Sequence, residues 1–464
     1  VTEVERLAAF VSSSSWEDLS REARETLKLH ILDSLGCAIA ALDSDVVRAV
    51  RGEVEEMGGR PLCTLIGGGR TSPDRAALHN AAAVRYLDFN DSFMAPGETC
   101  HPSDNLGAVL AAVEFAGGSG RDLLVALAVA YQVQCRLSEV APVRARGFDH
   151  VTQGAYGAAA GAARGLGLDA AATANAIAIA GTAFNALRVT RTGSLSNWKG
   201  LAYPNTAFAA VHAVFLARAG ITGPAEVLEG NKGFMETIAG RRFSIDWASE
   251  DLEAVTRTSV KRFNAEFHSQ SVLEAVLELR DEHRLDASQV ERVELDVFQV
   301  AYDIIGGGEE GDKRLVRTKE EADHSLPYLV AVALLDGDVL PAQYAADRIL
   351  RPDVQDLLRR VDVRPDPELS ARFPAEHPCR VRVVLRDRRV LAREKSDYLG
   401  FLTRPVGWGD VEDKFGRLVV PVVGETAVVR VVETVKELEG AAAEDLCSVL
   451  AGVRPALEGG EHGR

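Results

Sequence analysis

Cysteine is scarce and solitary in this sequence: six residues, at 37, 63, 100, 135, 379 and 447, with no CxxC anywhere. The closest two, Cys37 and Cys63, are spaced far beyond a compact zinc motif, and an iron–sulfur cluster needs several thiolates brought together. Unpaired thiols predict a reducing, cytoplasmic setting. Basic charge is also in deficit. Lys and Arg total 52 against 68 Asp and Glu, a formal charge of −16. That excludes a bulk cationic surface for nucleic acid or anionic membrane, while leaving room for local basic pockets. The opening VTEVERLAAF lacks a basic start followed by a long apolar run, so no signal peptide is expected. Leu32 to Ala41, the most apolar early stretch, is half a membrane span, and Asp33, Ser34 and Asp43 interrupt or close it.

Familiar catalytic signatures are missing too. GGGRTS at Gly67 lacks the GxxxxGK spacing that cradles phosphates, and GNKGF and the GGG at Gly306 are loops without a dinucleotide fingerprint. Neither HExxH nor GxSxG occurs. Asp88, Asp91 and His101 offer no dense cage for a divalent ion, so no metal and no cofactor is expected.

What is present is a globular composition. Hydrophobic residues make up 47% and charged residues 26% of 464, enough apolar side chain to exclude general disorder and enough length for two domains. The first half is alanine-rich and predicts helix nearly throughout. Ser15 or Asp18 is placed to cap a helix with Leu27, Ile31 and Leu35 on one stripe; further helices are expected at 76–86, 106–115, 123–133, 153–165, 170–179 and 206–218. After about residue 270, VERVELDVF and CRVRVVL alternate apolar and charged residues with the period of strands, the second followed by a turn and a return strand, RVLARE. Short helices are expected after Ser325 and at 354–361, and an Ala/Glu-rich helix at 436–450. The fold class is mostly α: a large all-helical domain from both chain ends, 1–270 plus 403–464, with a smaller α/β domain, 271–402, inserted.

The densest polar segment is DFNDSFMAPGETCHPSDNLGAVLAAVEF from Asp88. Asp88, Asn90, Asp91 and Ser92 form a polar break between apolar helices, and Ser103 or Asp104 is a natural N-cap for the next helix. That would set His101 above free backbone N–H groups that attract anions. A capping box with a surface histidine explains the same residues. His150 stands in a similar place if Thr152 caps its helix. Lys199, in SNWKGLAYPN, and His268, with Lys261 seven residues upstream, each lie at a loop or at the start of an apolar helix. Tyr328 follows Asp323, His324 and Ser325 and fits either a core tyrosine or a phenol reaching a substrate carboxylate. Histidines, lysines and helix starts inside an acidic protein suit a small polycarboxylate: imidazole exchanges a proton near neutral pH, and cations hold enediolate-like charge.

YLDFND at Tyr86, HPSDNLGAVLAA at His101, KRFNAEFHSQS at Lys261 and ADHSLPYLVAVALLDG at Ala322 resemble the MmgE/PrpD family over nearly the whole chain. The resemblance implies a cleft at the domain junction, a homodimer and metal-independent chemistry on di- or tricarboxylates. It also implies a dehydratase acting on 2-methylcitrate or a related alkyl-substituted acid, with decarboxylation of cis-aconitate, a specialised dehydratase and a non-catalytic carboxylate binder as alternatives. Its pocket positions carry over to Asp88, His101, His150, Lys199, Lys261 and His268, with Ser92 where decarboxylases of the family have threonine, and with Tyr328 matching the family tyrosine. On that basis Asp88, His101, His150 and Tyr328 are expected to be catalytic and Ser92, Lys199, Lys261 and His268 to bind substrate.

Overall fold

A computed structural model describes residues 1–193 and 195–454. The chain is mostly helical and divides into two compact units, one comprising 1–190, 200–258 and the described residues from Gly407 onward, the other Arg191–Lys199 and Ser259–Val406. The smaller unit therefore takes in 259–270, which the change of sequence character at 271 had left with the helices.

In the larger unit the alanines and glycines allow close helix packing. A Cβ added at Gly107 would stand 2.5 Å from the backbone N of Ala81, and one at Gly161 2.7 Å from the Cβ of Ala130, so helix Leu106–Ala116 lies directly on Pro73–Tyr86, and Val151–Gly165 on Gly120–Val140. Gly120–Val140 has the length and hydropathy of a membrane span, and most of it is buried inside this unit. Helix Arg21–Ala41 is capped by Ser20, whose hydroxyl accepts from Ala23 N–H. Ser15 and Asp18 instead box a separate short turn, Trp16–Asp18, because their reciprocal bonds close within three residues. The helix expected at 436–450 begins only at Ala443, as Ala443–Gly452; Lys436 ends the preceding helix, Glu425–Lys436, and Leu438–Gly440 is a turn between them. Nor is the unit all-helical: it carries two short antiparallel pairs, Cys63–Thr64 with Arg70–Thr71, and Phe93–Ala95 with Glu98–Cys100.

The smaller unit is built on a four-stranded sheet in the order Val361–Pro365, Val290–Val297, Cys379–Leu385, Val390–Lys395. The first two strands are parallel and the remaining pairs antiparallel. Val293, Leu295 and Val297 alternate into the core with Val381 and Val383, as the period-two pattern requires. A register shift between Val290 and Arg292 leaves Glu291 and Arg292 exposed side by side. Helices Gln270–His283 and Leu326–Asp336 pack together, the first against Val390–Lys395 and the second against Val361–Pro365. The helix expected at 354–361 stops at Leu358, and Val361 opens the strand instead.

Candidate active site

Two polar clusters, one in each unit, collect the residues singled out above. In the helical unit the 85–105 segment is a folded loop held by buried groups. Asp88 adopts a left-handed φ of 55°, an unfavourable backbone for a non-glycine residue that surrounding contacts must hold. Its carboxylate takes a 2.7 Å bond from Arg85 Nη1, which also reaches Asn90 Oδ1 at 3.3 Å. Burial works against the guanidinium's charge, but Asp88 and Asp104 hold it more firmly protonated than usual. Asn90 in turn donates to Ser103 Oγ and Asp104 Oδ1, both at 2.7 Å. Asp88, expected to support His101, bonds Arg85 and helps shape the loop.

Pro96 and Gly97, with Gly97 at φ 81°, occupy the two central positions of the turn between Phe93–Ala95 and Glu98–Cys100, the residue types a type II turn requires. Phe93 faces Cys100 across the hairpin, so the next pair outward is Ser92 and His101. Ser92 Oγ stands 3.2 Å from His101 Nδ1, and the same nitrogen is 2.7 Å from the backbone carbonyl of Asp91. A carbonyl only accepts, so Nδ1 carries the proton and Nε2 the lone pair. The His150 ring meets the His101 ring edge to face, centroids 5.2 Å apart, and Asp149 Oδ1 lies 3.5 Å from His150 Nε2. The structure thus brings Ser92, His101 and His150 together, all buried.

The expected caps are not formed. Pro102–Asn105 is a separate short turn ahead of the helix, and the Ser103 N–H and hydroxyl both donate to Asp91 Oδ1, at 3.1 and 2.7 Å. The anion at this helix entry is the protein's own aspartate. Thr152 sits inside its helix, which starts at Val151, with Asp149 accepting from Val151 N–H.

In the smaller unit Lys199 lies in the first turn of helix Trp198–Arg218, one of the two settings expected for it. Its Nζ is 2.6 Å from Asp323 Oδ1 and 2.8 Å from His324 Nδ1, while Lys319 Nζ holds Asp323 Oδ2 at 2.8 Å. Burial alone would raise the Asp323 carboxyl; Lys199, Lys319 and His324 hold it far below the usual range. The Asp323 carbonyl accepts from Glu266 N–H at 3.0 Å, joining this group to the next. Glu266 Oε1 accepts from His268 Nδ1 at 2.6 Å and Oε2 from His268 N–H at 2.7 Å. Burial pushes the Glu266 carboxyl up, but His268, His324 and Lys261 bring it down to about 2. His268 Nε2 is buried and makes no hydrogen bond among the described residues, so the one polar atom of the pair left over is the one a ligand would complete. Lys199, Lys261 and Lys319 place ammonium groups around the Glu266 and Asp323 carboxylates. Such cations can hold an anionic ligand.

Tyr328 does not join the cluster. Ser325 caps its helix as expected, with Oγ accepting from Tyr328 N–H, but the phenol donates to the Gln343 carbonyl and the ring is buried in the core of the sheet unit. Burial pushes its hydroxyl further above the ordinary tyrosine range, and its described contacts are those of a core residue. Arg85, Glu266, Lys319, His30 and Tyr131 had not been singled out. Glu266 stands two residues before His268, Arg85 three before Asp88 and Lys319 four before Asp323, all local pairings; His30 and Tyr131 meet Asp91 only through contacts distant in sequence.

A model of the MmgE/PrpD N-terminal domain matches residues 5–246, and one of the MmgE/PrpD C-terminal domain matches 263–439. The chain belongs to the MmgE/PrpD family. It is 28% identical to the 2-methylcitrate dehydratase of Escherichia coli (strain K12) over 383 residues, 77% of each chain, and 29% identical to that of Cupriavidus necator over 383 residues, 76% of each. It is 26% identical to the cis-aconitate decarboxylase of Mus musculus over 449 residues, 91% of this chain and 87% of that one. The relatives of this MmgE/PrpD chain are thus enzymes of the lyase type.

Proposed function

We propose that this protein is a metal-independent hydro-lyase acting on 2-methylcitrate or a related alkyl-substituted hydroxy di- or tricarboxylate. The observation that carries the reading is His101: its Nδ1 is spent on a backbone carbonyl at 2.7 Å, so its basic lone pair is on Nε2, with a second imidazole against its face. In the proposed step Nε2 takes the proton α to a substrate carboxylate. The C–H electron pair becomes the C=C bond, the C–O bond to the β-hydroxyl breaks, and the leaving oxygen takes a proton from the His150 imidazolium to depart as water. Asp149 supplies the counter-charge that imidazolium needs. The proton gained by His101 then returns to His150, a transfer supported by the proximity of the two rings.

Lys199, Lys261 and His268 hold carboxylates and the negative charge that develops in the transition state. Ser92 positions the His101 ring, and Asp88 acts through the loop it shapes. The same reading takes the enzyme as a cytoplasmic homodimer. Decarboxylation of cis-aconitate is the competing reading, favoured by the longer match to the mouse relative.

The test is incubation with 2-methylcitrate, citrate, cis-aconitate and alkylmaleates, following absorbance of the conjugated product together with carbon dioxide. Absorbance rising on an alkyl-substituted citrate without carbon dioxide is expected, and EDTA leaves it unchanged. Carbon dioxide from cis-aconitate assigns the decarboxylase instead. Binding of citrate-like anions with no exchange of a substrate proton in deuterated water leaves a non-catalytic carboxylate binder.

A further inference from the structure

We infer that Asp91, a residue with no contact to spare for substrate, fixes which nitrogen of His101 acts as the base. The inference rests on His101 being the proton-transfer residue. The Asp91 carboxylate is fully buried, and its four acceptor positions are matched by four contacts. Oδ1 takes the N–H and the hydroxyl of Ser103. Oδ2 takes the Tyr131 hydroxyl at 2.7 Å and faces His30 Nδ1 at 3.0 Å. A carboxylate offers about four lone-pair sites, so none remains for a metal or a substrate. Burial alone would raise this carboxyl, yet the His30 and hydroxyl bonds hold it below the ordinary range and keep it an acceptor.

The contacts come from three places: helix Arg21–Ala41, helix Gly120–Val140 and the Pro102–Asn105 turn that directly follows His101. The side chain therefore pins residue 91 to the scaffold on one side and to His101's own backbone on the other. Between these anchors the Asp91 carbonyl is held at His101 Nδ1. Neutral imidazole in water prefers the tautomer with the proton on Nε2. This carbonyl enforces the opposite tautomer, the one with its lone pair on Nε2.

The test reads the tautomer directly. In protein labelled with 15N-histidine, the His101 resonances are identified by their loss in His101→Gln. Wild type above the imidazole titration is expected to show a protonated Nδ1 and a bare Nε2. In Asp91→Asn and Asp91→Ala the signals move toward the ordinary Nε2–H form, and kcat falls roughly 100-fold with KM within about threefold. If Asp91→Ala does not fold, Tyr131→Phe and Ser103→Ala carry the test. Each removes part of the anchor, and each must shift the tautomer partway. A His101 that stays Nδ1-protonated in every variant, or a wild type protonated on Nε2, overturns the inference. A tautomer that shifts as expected in a protein inactive on every carboxylate keeps the role of Asp91 and refutes the reaction assignment instead.

Discussion

Glu266→Gln isolates the charge that holds the cationic cluster together. The substitution preserves shape: the amide oxygen still accepts from His268 N–H, but the buried negative charge is lost. Glu266 titrates at about 2 in the folded protein against an ordinary 4.5. A depression of that size corresponds to about 3 kcal/mol of folding stability. Because the folded value is the lower one, this stability is complete above pH 4.5 and is lost as the pH falls from there toward 2. Urea unfolding followed by circular dichroism at pH 7, 5, 4 and 3 measures it. At pH 7 Glu266→Gln should be less stable by about 3 kcal/mol, and the difference from wild type should shrink on acidification below 4.5. The neighbouring Glu274, also held at about 2, titrates in both proteins and cancels in the comparison. A variant with wild-type stability at pH 7, or a difference independent of pH, would refute the argument that Lys261, His268 and His324 hold this carboxylate ionised.

Two further outcomes follow from packing. Tyr328→Phe leaves the Gln343 carbonyl without its donor, so urea unfolding should show a loss of about 1–2 kcal/mol while turnover stays within about threefold; a turnover loss beyond tenfold in a folded protein would restore the tyrosine to the chemistry. Gly107→Ala sets a methyl 2.5 Å from Ala81 N, against backbone that cannot rotate away. It should cost about 1–3 kcal/mol, seen as a lower melting temperature, and an unchanged melting temperature contradicts the close approach of the two helices.

Much of the architecture was legible because its signals are local. The Leu27, Ile31 and Leu35 stripe, the alanine-rich runs and the alternation in VERVELDV each declare their element within a dozen residues. The elements that escaped depend on distant partners. Val361–Pro365 is short and ends in proline, and it becomes a strand only by pairing with Val290–Val297. The first turn of the helix carrying Lys199 includes Gly200, with Pro204 soon after, which argues locally against helix. At the site, His101, Ser92 and His150 could be proposed from their motifs, but their meeting depends on a hairpin turned by Pro96 and Gly97. Ser103 looked like a cap because serine before an apolar helix usually is one; a buried aspartate ten and more residues upstream outcompeted that role. Tyr328 shows the converse, where a motif match could not tell a core phenol from a reacting one.

The most direct test of the central claim is proton abstraction by His101. Wild type and His101→Asn, each confirmed as folded by circular dichroism, are given 2-methylcitrate and related alkyl citrates in deuterated water. Conjugated product and deuterium exchange at the carbon α to the carboxylate are followed in single-turnover experiments. The account predicts that the variant binds substrate but loses turnover and exchange together, by about 100-fold to 10,000-fold. Turnover or exchange retained within tenfold in His101→Asn would contradict it.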